Sequence, residues 1–217
     1  VEIRQGEPVL INNMIMPGNV SSSSGSPHSY GVMNAGNPIL VGNLIIAGNV
    51  TGDTSQSFSC GILNDTDSSP ILVNNTIIGG DADSDGGMSS SYGMYNNSIP
   101  GLVTNNIFLS MDTDSGDTRY GVFGTGLSDD NYYYNCIYVD GVTDYSGITL
   151  NSGSVTVDPL LDAEHRPTAS SPSAVQTGGI IDPFSKADIP VLDAYLSDIL
   201  GAARTPAYVE NSTDTGW

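Results

Sequence analysis

Carboxylates are the residues with the clearest chemical potential in this chain. Asp81-Ala-Asp83-Ser-Asp85-Gly86-Gly87 sets acids at alternate positions ahead of a glycine pair. Oxygen ligands at that spacing, followed by a tight turn, make the first half of a Ca²⁺-binding loop. The position where an EF-hand places its last carboxylate falls on Tyr92, so the segment is not an EF-hand. Asp112, Asp114 and Asp117 form a second acidic loop further on. Six carboxylates held side by side repel one another unless a cation sits between them. Ca²⁺ is therefore the expected ligand, and a solvated acidic loop in an acidic chain is the plainer alternative.

Other chemistry is sparse. Arg119 lies close to Asp117, and an ion pair is its simplest role. A glycosidase needs two carboxylates at a set separation, one of them with a raised pKa. Many Asp pairs could qualify, and sequence alone fixes no separation, so none is assigned. His28 and His165 are isolated in sequence and read as exposed polar residues. No nucleophile motif, phosphate loop or Cys/His metal set is present, and no catalytic residue is assigned. Asn19-Val-Ser21 and Asn49-Val-Thr51 are glycosylation acceptor patterns that open equivalent loops.

The element that must position these residues is a repeat. Pro8 to Gly18, Asn37 to Gly48, Pro70 to Gly80, Pro100 to Ser110 and Asp130 to Asp140 are five related runs of β-branched residues and Leu, each broken by Asn. Counting along each copy aligns Asn13, Asn43, Asn75, Asn105 and Asn135, and beside them Ile15, Ile45, Ile77, Ile107 and Ile137. A third apolar patch follows in each period, as in Tyr30-Gly-Val-Met-Asn34 and Tyr92-Gly-Met-Tyr-Asn96. Three short strands per period of about 30 residues, with no room for a helix, predict one turn of a parallel β-solenoid. Stacked turns lie about 4.8 Å apart. Each Asn then sits above the next, and their amides satisfy one another in a ladder. The Ile column forms the core. The preference of parallel crossovers for one hand predicts a right-handed helix.

The expected fold is thus an all-β, right-handed parallel β-helix of about five rungs over residues 1–150. Residues 151–217 follow as an irregular C-terminal cap. Within that cap, Leu192, Tyr195 and Leu196 at helical spacing predict a short helix over residues 189–197, with Asp188 as its cap. The chain starts inside a repeat, since Val1 to Glu7 aligns with Gly31 to Asn37. Cys60 and Cys136 fall three rungs apart, about 14 Å along the axis, which is too far for a disulfide.

The formal net charge is −19, from 24 acidic and 5 basic residues. Nucleic acid is excluded as a natural partner because its phosphates need cationic neutralisation. No apolar stretch approaches the ~20 residues of a membrane-spanning helix, and no membrane insertion is expected.

The C-terminal part resembles that of secreted right-handed parallel β-helix proteins of the bacterial surface type, which often carry a choice-of-anchor region. The stretches that carry the resemblance are Val157-Asp-Pro-Leu-Leu161, Arg166 to Val175, Gly178-Gly179, Asp198 to Arg204 and Thr213 to Trp217. The sequence departs from the family pattern at Ser173-Ala-Val-Gln176. The resemblance implies an extracellular or cell-surface location and a carbohydrate-rich setting. It implies no single activity, because such folds host lyases, hydrolases, adhesins and scaffolds. Two readings follow. The first is a structural or adhesive β-helix, stabilised by calcium, that stacks end to end with copies of itself. The second is a carbohydrate-active β-helix, a lyase, hydrolase or binding module, whose partner is a polysaccharide. In a lyase of this type Arg119 would be the candidate base.

Overall fold

The computed structural model describes residues 1–53, 56–111, 118–125, 131–151, 153–172 and 175. The first turn holds β1 (Glu2–Ile3), β2 (Val9–Ile11), β3 (Met14–Ile15) and β4 (Val20–Ser22). The second holds β5 (His28–Asn34), β6 (Ile39–Val41), β7 (Leu44–Ile46) and β8 (Val50–Gly52). The third holds β9 (Ser57–Asn64), β10 (Ile71–Val73), β11 (Thr76–Gly79) and β12 (Ala82–Ser84). Then come β13 (Ser89–Asn96), β14 (Leu102–Thr104) and β15 (Ile107–Ser110), followed by β16 (Thr118–Gly124), β17 (Tyr132–Tyr133), β18 (Cys136–Tyr138) and β19 (Tyr145–Ser146). All named strands pair in parallel, turn on turn, giving a β-solenoid of about four turns.

Three long sheets wrap the core. The first runs β1-β5-β9-β13-β16-β19, the second β17-β14-β10-β6-β2, the third β18-β15-β11-β7-β3. A fourth sheet, β4-β8-β12, lies inside what the sequence presents as loops. Its strands are three residues each, too short to stand out from a Ser- and Asp-rich background.

Each long sheet sends one column of side chains inward. Val32, Ile62, Met94 and Val122 come from the first sheet, and Leu40, Leu72, Val103 and Tyr132 from the second. The third contributes Ile15, Ile45, Ile77, Phe108 and Ile137. This corrects the expected column at one position, because Phe108 takes the place assigned to Ile107. Ile107 instead points away from this column and is buried against Cys136 and Val175. The cause is an extra residue in the fourth repeat. Gly101, not Pro100, starts the copy, since Leu102 lies beside Ile71. The first turn is likewise offset by one from the expected alignment, with Glu2 opposite Met33.

A glycine column lets the first sheet close on the third. A Cβ on Gly61 would meet Ile77 Cγ2 and Gly93 O, each at 2.6 Å. Gly31, Gly93 and Gly121 occupy the same place in neighbouring turns. The strand bends at each of them, so the outward residues on either side, such as Tyr92 and Tyr95, are three apart rather than two.

Parallel bridging continues past residue 150. Leu150 lies against Tyr132 and Val155 against Cys136. Gly153, at φ +78°, and Ser154 repeat the bend of the earlier turns. Leu161 and Pro167 then form an antiparallel bridge. The helix expected over residues 189–197 lies outside the described residues. Both cysteines are free and buried.

Candidate functional site

The Asn ladder fixes the corner between the second and third sheets. Asn13 donates its backbone N–H and its Nδ2 to Asn43 Oδ1, at 2.9 and 3.0 Å. Asn43 does the same to Asn75, both at 2.9 Å. Asn75 donates to Asn106, and Asn106 to Asn135. In the fourth turn the ladder residue is therefore Asn106. Asn105, assigned from the sequence, stands one place earlier with φ +54°. That left-handed position recurs as Asn12, Gly42, Asn74 and Tyr134. Only Gly adopts it freely, and Asn tolerates it best among the rest. Repeated Asn-Asn pairs thus hide two separate demands in one dipeptide. The ladder ends on Ser154, whose Oγ accepts the Asn135 N–H at 3.2 Å.

A second ladder runs at the far end of the first sheet. Asn34 donates to Asn64 Oδ1, and Asn64 to Asn96 Oδ1, each at 2.7 Å. Its signal was present in the sequence as the Asn closing the first three Tyr/Cys-Gly patches; the fourth closes on Gly124. Buried Ser29, Ser59 and Ser91 clamp the turns at Gly48 and Gly80. Ser59 Oγ donates to Gly48 O and accepts the Gly80 N–H, both at 2.9 Å.

These corners present the outer face of β4-β8-β12. Asn19, Asn49 and Asp81 stack at its entrance. Asn19 Oδ1 accepts the Asn49 N–H at 3.0 Å, and Asn49 Oδ1 accepts the Asp81 N–H at 3.1 Å. Asn49 Nδ2 donates to Asp81 Oδ2 at 2.9 Å, which fixes that carboxylate. One step along the strands, Ser21, Thr51 and Asp83 lie side by side. Together they line a shallow open groove of about 260 Å³. Asp53 follows on the same side next to Asp85, because Asp85 N–H bonds Gly52 O in the parallel register. Adjacent strands lie about 4.8 Å apart, so those two like charges are close neighbours.

Of the six expected metal ligands, Asp81 is half-buried, and Asp83 and Asp85 are exposed. Asp112, Asp114 and Asp117 lie outside the described residues. Among the described residues, no group of three or more His, Cys, Asp or Glu side chains converges well enough to hold a metal ion. Asn19 and Asn49, the two glycosylation acceptors, are exposed, but the Asn49 amide is engaged with Asp81 on both its atoms. His28 accompanies Tyr30, with Nδ1 3.0 Å from the phenol oxygen. Arg119 is half-buried in β16.

The outer face of the first sheet carries a feature that the sequence reading did not single out. Tyr30, Phe58, Tyr92, Tyr95, Tyr120 and Phe123 form one connected set of rings along the axis. Its sequence signal is strongest in Tyr92-Gly-Met-Tyr95 and Tyr120-Gly-Val-Phe123, where aromatic residues flank the recurring glycine on both sides.

No family model, curated protein or solved structure matches the chain. The fold itself defines the class: a parallel β-solenoid of the β-helix type.

Proposed function

We propose that the chain is a binding solenoid with an adhesive or structural role, and that it holds a polysaccharide along the outer face of β4-β8-β12. The observation that carries this reading is the groove spanning three turns. Its wall repeats amide, hydroxyl and carboxylate groups at Asn19, Ser21, Asn49, Thr51, Asp81 and Asp83. Such groups donate to and accept from sugar hydroxyls, and the groove is open along the axis, as a chain-like ligand requires. Asp81 and Asp83 favour a neutral polymer over a uronate. An extracellular or cell-surface location belongs to the same reading and is supported by the resemblance of the C-terminal stretches.

Native electrophoresis in gels loaded with neutral polysaccharides tests it. At least one polymer should retard the chain, and Thr51→Val or Asp83→Ala should weaken that binding about tenfold, the loss of one good hydrogen bond. Unchanged migration in every polymer would remove the reading.

Calcium is a second element of the proposal. It is supported by the alternating acids Asp81, Asp83 and Asp85 and by Asp53 beside Asp85, with Asp112, Asp114 and Asp117 as the further ligands. Binding to the folded state alone raises stability by mass action. Millimolar Ca²⁺ should raise Tm by several degrees, and chelation should reverse it. An unchanged Tm would exclude calcium as a stabiliser. End-to-end stacking is the assembly form of the structural role. It is supported by the constant parallel register of the long sheets along the axis, which a stacked copy can continue. Electron microscopy with and without Ca²⁺ tests it: fibres support stacking and isolated particles count against it.

A further inference from the structure

We infer that the outer face of the third sheet, over β7 and β11, is the docking site of this chain's own C-terminal segment, residues 176–217, which returns along the side of the solenoid toward the first turn. The inference involves none of the groove residues and does not depend on the groove's ligand.

Alternation defines the face. Ile45, Ile77, Phe108 and Ile137 point into the core, so their neighbours along each strand point out. One outward column is Leu44, Thr76, Ile107 and Cys136. The other includes Ile78 and Leu109, side by side. These strands are apolar on both faces, the pattern of a parallel sheet that is covered on both sides.

Burial shows how far the cover extends. A side chain standing off a sheet with only its strand neighbours beside it keeps its tip in water. Leu63, flanked in this way on the outer face of the first sheet, stays half-buried. On the third sheet Leu44 is 5% exposed and Ile78 1% exposed, so both lie under further atoms. Met14, beside Leu44 in the first turn, is 53% exposed, so the cover stops there. At the fourth turn the cover is visible: Val155, Leu161 and Val175 pack with Ile107, Leu109 and Cys136. Leu44 and Ile78 belong to none of the clusters formed by the described residues. The second sheet differs, because its outward Val41 and Val73 pack with Ile39 and Ile71.

Continuity names the occupant. Val175 packs at Ile107, which is one turn from Thr76 and two from Leu44, about 10 Å along the axis. The chain from Val175 to Leu192 is far longer than that distance even when only partly extended. Beyond it, Leu192, Tyr195, Leu196 and Ile199 recur at spacings of three and four, an apolar stripe with Ser197 on the other side. A helix is about 10–12 Å across, the width of two turns, and two turns carry Leu44 and Ile78. Cover that is complete at Ile107 and lost at Met14 fits a segment tethered at Val175. A second copy laid on the face would reach Met14 as readily as Leu44.

A nitroxide attached at Ser197→Cys in the full chain tests this, with amide signals of the ¹⁵N-labelled protein as the readout. Both native cysteines are buried, so the added thiol takes the label. Signals of residues 44–46 and 76–79 should broaden more than those of the first sheet. A mixture of tagged unlabelled chain with untagged ¹⁵N chain should show no such broadening. Broadening that appears equally in the mixture would assign the face to a second copy and overturn the proposal. So would signals at 44–46 and 76–79 that the tag leaves sharp. As a separate check, Leu196→Asp should speed amide exchange in those two stretches about tenfold through local opening, with the second sheet unchanged. Exchange that stays at the wild-type rate there would equally overturn it.

Discussion

At Asn105 and Asn106 two identical side chains meet opposite demands. Asn106 is a rung of a buried ladder that accepts from Asn75 and donates to Asn135, Leu72 O and Thr104 O. Its loss leaves donors and acceptors on two neighbouring turns without partners. Asn106→Ala should cost about 3 kcal/mol or more, because each orphaned buried group costs ~1–3 kcal/mol. Asn105 holds a left-handed backbone, and Asn105→Gly, which relieves that strain, should cost clearly less. Urea denaturation of the two variants checks this, and equal losses would contradict the assignment of the ladder to Asn106. The thiols give a pH dependence. Burial pushes Cys136 from 9.0 up to about 12, and Cys60 rises in the same direction for the same reason. In the unfolded chain the thiols ionise first, so the folded state holds the extra protons. Their contribution is fully present below pH about 9 and is lost as pH rises from there toward 12. The urea midpoint should therefore fall between pH 8 and pH 10.5. A flat profile would show that neither thiol is held neutral by the fold.

At the scale of the element, the bend glycines decide whether turns stack. Gly61→Ala should cost about 2 kcal/mol or more, since overpacking against the Gly93 backbone has little room to relax. Gly18→Ala, with open space around it and no left-handed φ, should stay within ~0.5 kcal/mol. Thermal or urea melts of the pair separate the two, and similar losses would show that the bend does not depend on close approach. The parallel solenoid, its three long sheets and most of the Asn and Ile columns were legible from period alone. The slip at Pro100-Gly101 was not, because an extra residue before a run of Asn-Asn leaves two alignments equally good by residue type. The β4-β8-β12 sheet was hidden because its three-residue strands hold one apolar residue each, Val20, Val50 and Ala82, too few to show an alternation. The acidic residues were legible as a group, but their outward stacking on that sheet follows from the register. The aromatic face escaped for a related reason: Gly31, Gly61, Gly93 and Gly121 break the two-residue alternation that would have marked those rings as one face.

Over the whole molecule, chemistry is sorted by face. Apolar columns fill the interior, rings lie on the first sheet, and amide, hydroxyl and carboxylate groups lie on the fourth. A solenoid repeats each face at a constant interval, which suits a ligand that is itself a repeat. The measurement that tests the groove most directly is a titration of the ¹⁵N-labelled chain with a neutral oligosaccharide, followed by amide chemical shifts. Shifts concentrated at residues 19–22, 49–53 and 81–85, with the first sheet unmoved, are the predicted result. No shifts with any neutral oligosaccharide, or shifts confined to β5, β9, β13 and β16, would contradict it.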